Sequence, residues 1–316
     1  MADLNRAIHS ALKDCLNLKR NETILIVADS PLQELGYRFY QSAKNISKNS
    51  NLIILPELTG YGEPSKSVAT FMNNSEVIVL ITSRSLSHTM ARRRASKNGA
   101  RIASLPGITP EALTRTMNGN YREIKNRSRK LADILTIGRS VHLTTKQGTD
   151  LVLSISKMKG YPDTGMIHEP GQFSNLPAGE GCAAPVPGSA NGTLVIDGSF
   201  PGIGKIVNPI KMSVKDGYVV RISGDSEAQI VRKLIRPFGK DARKIAEIGI
   251  GTNPHAKFTG CTLEDEKVLG TVHIGFGNNV SFGGRNDICC HFDAVLLKPT
   301  LTIDEHIIIK DGELRV

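Results

Sequence analysis

Four short apolar runs constrain the first half of this chain: ETILIVAD (22–29), NLIILPE (51–57), EVIVLITS (76–83) and ARIASLPG (100–107). The first three are rich in Ile, Val and Leu, as expected of strands buried on both sides of a parallel sheet, and the fourth repeats the strand signal. Stretches with helical spacing separate them. After the first run, SPLQELGYRFYQSAKN offers Ser30 as a cap, Pro31 at the first helical position and Gln33 to complete a capping box. Leu32, Leu35 and Phe39 then fall on one helix face. A series of this kind predicts an α/β fold, an open parallel sheet with flanking helices on both faces.

A charged helical stretch over about 119–137 closes this half, and the pattern then turns to β. SVHLTT (140–145) and TDLVLSIS (149–156) flank a KQG turn, and IKMSVKDGYVVRIS (210–223) reads as a hairpin with Asp216-Gly217 in its two-residue turn. The last residues, LTIDEHIIIKDGELRV, contain a second Asp-Gly turn. We therefore expect a Rossmann-like α/β domain over 1–138 and an α+β domain over 139–316 that carries a metal site. Between the hairpins, 157–185 shows no periodicity and reads as a long loop, of the kind that is functional or disordered.

Several functions are disfavoured. No GxGxxG follows the first strand, and FPGIGK (200–205) lacks the first glycine and the Ser/Thr of a P-loop. A net charge of +10 raises the question of nucleic acid. Its densest runs, at 91–101 and 126–130, lie in helical segments as solvated faces, and six tyrosines, nine phenylalanines and no tryptophan leave few stacking platforms. Nucleic-acid binding is not expected. No apolar run approaches the roughly 20 residues that cross a bilayer, and the start does not read as a signal peptide. Five cysteines without a CxxC pair suit free thiols in a reducing compartment, so a cytoplasmic protein is expected.

Chemistry concentrates near the C-terminus. His291 and Asp293 lie two apart in HFDAVLL, a strand-like stretch, and so share a face with Phe292 opposite. His273 sits in TVHIGFG, Glu247 between isoleucines in IAEIGIG, Glu266 in LEDEKVLG, and Glu180 in NLPAGEG. An acid in such apolar surroundings needs a partner. Glu180, Glu247, Glu266 and Asp293 would bring four negative charges and His273 and His291 neutral nitrogens, a set that suits zinc, cobalt, manganese or iron. Crowded carboxylates repel unless cations intervene. Two divalent ions balance four charges, and a carboxylate can bridge them.

NLPAGE (175–180), AEIGIGTNP (246–254), LEDEKVLGTVHIGFG (263–277) and HFD (291–293), in this order, resemble the signature of the aminopeptidase T-like metallopeptidases. SHTMARRRASKNGARIASLPGIT (87–109) resembles a short branch of the same family. The resemblance implies a homodimer with a co-catalytic pair of zinc, cobalt or manganese ions. Glu180 then matches the acid of the NLP loop and Glu247 the bridging acid. His273, His291 and Asp293 match the histidine and H-x-D ligands, and Glu266 matches another acid if two residues are inserted. Two positions depart: the second acid beside Glu180 is Gly179 here, and a tyrosine seven residues after His273 is Val280.

The expectation is thus a metal-dependent aminopeptidase, a hydrolase of peptide substrates, with Glu180 and Glu247 catalytic and His255 a candidate proton shuttle. A metal-bridging hydroxide would attack the first peptide bond. The scaffold also resembles an iron-dependent dioxygenase that opens dihydroxypyridine rings; there the bridging acid is replaced and one iron suffices, so Glu247 speaks for the peptidase. A non-catalytic metal- or nucleic-acid-binding protein is the third alternative.

Overall fold

The structure is a computed structural model, and it describes residues 2–316 of the 316. The chain divides into two compact units. The first comprises the chain up to Tyr121 together with Thr164–Ala178, and the second Arg122–Asp163 together with Gly179–Val316.

The first unit is built on a five-stranded parallel sheet in the order Asn49–Leu55, Thr23–Asp29, Val77–Ile81, Arg101–Ser104, Phe173–Asn175. The four apolar runs are its first four strands. Leu25, Val27, Ile78, Leu80 and Ile102 pack with Val68 and Met72 of the helix Lys66–Asn73 into a core. Helices Gln33–Lys44, Lys66–Asn73, Met90–Lys97 and Pro110–Met117 accompany the strands. Three of them start on side-chain caps: Ser65, Thr89 and Thr109 accept the backbone N–H groups of Val68, Arg92 and Ala112. The capping box expected at Ser30 does not form. Residues Ser30–Leu32 make a 3₁₀ turn, the α-helix begins at Gln33, and the Ser30 hydroxyl donates to the Leu55 carbonyl at 3.4 Å instead.

The second unit carries two large antiparallel sheets and a two-stranded one, Ser199–Phe200 with Gly204–Lys205. The larger has eight strands in the order Tyr218–Ser223, Ile210–Lys215, Asn191–Ile196, Asp150–Ser154, Ser140–Thr144, Thr300–Ile303, His306–Lys310, Glu313–Leu314. Both Asp-Gly turns are present: Lys215 pairs with Tyr218 and Lys310 with Glu313. Asp216, Gly217, Asp311 and Gly312 all have positive φ, the geometry of a tight hairpin turn. The smaller sheet has five strands in the order His291–Leu296, Val272–Gly277, Ile245–Gly251, Glu180–Ala183, Gly160–Asp163.

Residues 157–185 are not one loop. They contain the strands Gly160–Asp163, Phe173–Asn175 and Glu180–Ala183, which enter two different sheets. Strands of three or four residues are too short to show a period, so their pairing comes from neighbours distant in sequence. No helix among the described residues is long and apolar enough to cross a membrane.

Candidate metal centre

One face of the five-stranded sheet gathers the acids and imidazoles. In the strand Ile245–Gly251 every residue is buried, and alternation places Glu247, Gly249 and Gly251 on one side and Ile248 and Ile250 on the other. The register then sets each polar residue opposite a glycine of the adjacent strand. Glu180 pairs with Gly251, His273 with Gly249, Glu247 with Gly275, Asp293 with Gly275 and His291 with Gly277. These glycines make room. A Cβ at Gly249 would overlap the His273 ring, and one at Gly275 would lie 2.8 Å from the Glu247 Cβ and the His291 ring. On the opposite face Phe292 stacks on Phe200, with centroids 5.8 Å apart, and Phe276 packs beside them.

Two overlapping triads result, Glu180–Glu247–His273 and Glu247–His291–Asp293, each with ligand atoms within 4.8 Å of one another. Glu247 belongs to both. His291 Nε2 lies 2.9 Å from Asp293 Oδ1 and 3.0 Å from Glu247 Oε2. Its Nδ1 is 2.6 Å from the Asn278 carbonyl, so Nδ1 carries a proton and donates it. That fixes the ring and leaves Nε2 aimed between two carboxylates, the arrangement that orients a histidine for metal. The Phe282 ring meets His291 edge-on at 5.6 Å. In the other triad His273 Nε2 is 3.2 Å from Glu180 Oε2 and 3.8 Å from Glu247 Oε1. The first contact is close without being a hydrogen bond, and both Glu180 Oε2 and His273 Nδ1 are buried with no hydrogen-bond partner. Buried polar atoms left open in a converging set of imidazoles and carboxylates fit a divalent cation.

Without a cation the side chains balance one another. Burial alone would lower the His291 pKa, but Asp293 and Glu247 hold it well above the ordinary 6.5, and Glu180 and Glu247 do the same for His273. Burial would raise Glu247, yet His273 and His291 hold it well below its usual range. Asp293 is lowered against its burial by His291. Cys182, beside Glu247, is pushed up by burial and by the neighbouring Glu247 and Glu180 charges, so it stays a thiol.

Glu266 joins neither triad. Its Oε1 lies 2.9 Å from Lys267 Nζ, and the same ammonium is 2.7 Å from Glu180 Oε1 and 3.4 Å from Asp163 Oδ2. Lys267 is only 1% exposed; burial would lower its pKa, but Glu180, Glu266 and Asp163 raise it well above normal. Burial pushes Glu266 up to about 8 even beside this cation. Sequence reasoning missed Lys267, because only acids and imidazoles were weighed as members of the cluster. It also missed Asp163, Cys182, the Asn278 carbonyl and Phe282. Lys267 changes the charge count: it sets one buried positive charge among Glu180, Glu266 and Asp163, which a tally of acids and imidazoles alone leaves out. His255, the candidate shuttle, sits on an exposed turn.

A family model described as NicX, 2,5-dihydroxypyridine 5,6-dioxygenase, matches residues 5–316. A curated 2,5-dihydroxypyridine 5,6-dioxygenase of Pseudomonas putida KT2440 is 26% identical over 254 residues, covering 75% of this chain and 70% of that protein. Among solved structures, a 2,5-dihydroxypyridine dioxygenase from Pseudomonas putida KT2440 superposes with a TM-score of 0.82 at 21% identity, covering 100% of this chain and 97% of the other. Wild-type AmpT from Thermus thermophilus superposes with 0.72 at 14% identity, over 100% and 99%.

The chain belongs to the NicX family of 2,5-dihydroxypyridine 5,6-dioxygenases. This overturns the assignment to the aminopeptidase T-like metallopeptidases and, with it, the hydrolase, the peptide substrates and the bridging hydroxide; AmpT shares the fold alone. It also overturns the pair of zinc, cobalt or manganese ions, because NicX-type dioxygenases use a single iron. The ordered motifs misled because they trace strands of a fold that both structures share, and a fold does not set the reaction. The departures at Gly179 and Val280 were the signal that the peptidase apparatus is incomplete.

Proposed function

We propose that this chain is an iron-dependent ring-cleaving dioxygenase acting on a dihydroxylated nitrogen heteroaromatic such as 2,5-dihydroxypyridine. The single observation that carries the reading is the convergence of Glu247 and Asp293 on His291 Nε2, at 3.0 and 2.9 Å, in a chain that belongs to the NicX family. Glu247, His291 and Asp293 would hold the ion. Iron at such a site supplies the one-electron and dioxygen chemistry that no side chain provides.

The side chains do the rest. The Asn278 carbonyl keeps the His291 proton on Nδ1, so Nε2 stays available as a ligand. Phe282 covers the His291 ring and excludes water from that side. His273 and Glu180 are assigned the proton that a ring hydroxyl gives up on binding: Glu180 Oε2 and His273 Nε2 are 3.2 Å apart, and both groups are buried. Lys267, 2.7 Å from Glu180 Oε1, holds that carboxylate in place and leaves Oε2 to accept. A homodimer in the cytoplasm is the assembly and compartment we assign, and light scattering tests the former.

The test is reconstitution with ferrous iron under argon, followed by 2,5-dihydroxypyridine and air. Loss of the substrate's ultraviolet absorbance with equal uptake of dioxygen is expected, along with about one iron per chain and no turnover of aminoacyl-nitroanilides. Iron-loaded protein that consumes no dioxygen across a panel of dihydroxylated pyridines would overturn the reading.

A further inference from the structure

Lys267 brings to the cluster a positive charge that a ligand set does not require. Its ammonium is surrounded by three carboxylate oxygens, Glu180 Oε1 at 2.7 Å, Glu266 Oε1 at 2.9 Å and Asp163 Oδ2 at 3.4 Å, at 1% exposure. Glu180 is also a member of the triad with Glu247 and His273, whose ligand atoms lie within 4.8 Å of one another. By donor type and spacing that triad is a second cation site sharing Glu247 with the first. We propose that the ammonium of Lys267 takes the place of a second metal ion and restricts the centre to one.

Three observations support this. The ammonium occupies one oxygen of Glu180, leaving Oε2 alone to face the triad. A divalent ion bound there would share Glu180 with a fixed positive charge in a low-dielectric surround, where like charges repel strongly. The main chain at Lys267 is also anchored. Its backbone is held on both sides, the N–H donating to the Glu264 carbonyl at 3.0 Å and the carbonyl accepting from Asn253 N–H at 2.8 Å. An ammonium withdrawn from its acids inside the protein would be buried and unpaired, which is costlier than leaving it where it is. Lys267 is thus a positioning residue, acting on the metal through Glu180.

The inference rests on the reading that Glu247, His291 and Asp293 hold one ion, and the experiment separates the two. Wild type, Lys267→Met and Lys267→Arg are titrated anaerobically with ferrous iron and, in parallel, with cobalt(II). Bound metal per chain is then counted by elemental analysis after desalting. Wild type should saturate at one ion, Lys267→Met at two, and Lys267→Arg, which keeps the charge, at one. Circular dichroism checks folding, and Lys267→Gln, which can still hydrogen-bond the acids without a charge, replaces Lys267→Met if the methionine chain is unfolded. Saturation of the folded uncharged variant at one ion overturns the role of Lys267. A wild type that binds two ions or none overturns the one-ion reading itself, whatever the variants do.

Discussion

Two buried strands, one in each unit, reach the same burial by opposite means. In Val77–Ile81 all five residues are buried and all are aliphatic, so the hydrophobic effect alone accounts for their place. In Ile245–Gly251 all seven are buried as well, but they include Glu247 and two glycines. Glycine weakens a strand, and a buried carboxylate is costly unless it is paired. That strand persists because His273 and His291 answer the acid and because the glycines admit the neighbouring side chains. The first strand serves stability. In the second, stability is given up to form a site, and its integrity depends on charges held by other strands.

Replacing Glu247 by glutamine should break the comparison most sharply. It removes the carboxylate common to both triads, so iron content should fall close to zero and ring cleavage below detection, measured by elemental analysis and oxygen uptake. Ile78→Ala should do the reverse: a fully buried aliphatic truncation costs about 2–5 kcal/mol in denaturant unfolding, while iron per chain stays unchanged. Gly275→Val falls between them. Its added carbons meet the Glu247 Cβ and the His291 ring, so metal affinity should drop about 10–100-fold, as for other changes in the groups that orient ligands.

Acidity separates the regions too. In chelator-treated protein, His273 and His291 have folded pKa values well above the ordinary 6.5. Their contribution to stability is full below pH about 6.5 and is lost as pH rises through the folded values. Glu247 and Asp293 are depressed, so their contribution is present above the ordinary carboxylate range and is lost as pH falls through the folded values. The unfolding temperature of the metal-free protein should therefore decline on the alkaline side. Added iron, which needs neutral imidazoles, should remove that decline. The smallest effect belongs to Thr109→Ala, which loses the cap on Ala112 N–H. About 1 kcal/mol should go, with metal binding untouched.

Legibility in the sequence followed the range of the interactions. The four aliphatic strands, the Asp-Gly turns and the shared face of His291 and Asp293 all depend on residues a few positions apart, and all appear in the structure. The strand Phe173–Asn175 was invisible because its three residues join Arg101–Ser104 across a long stretch of chain. Glu180, Glu247 and His273 could be picked out as acids and imidazoles in apolar surroundings. Their meeting rests on the register of three strands, which no local pattern specifies. The glycines opposite them are the clearance for the site, which their sequence positions alone do not reveal. Lys267 carries no sequence pattern that marks it for the site, yet it is among the most buried charges of the chain.

Local chemistry along the chain was sufficient to establish an α/β fold and to single out acids and imidazoles in its second half, since side-chain period and turn residues act within a few positions. Nuclearity and reaction type were not accessible that way. A charge count over sequence positions omits any cation whose burial is unknown, and only the packed sheet revealed that an ammonium shares the acids. Distances among residues from separate strands follow from long-range pairing, and those distances decide how many metal ions the cluster can hold.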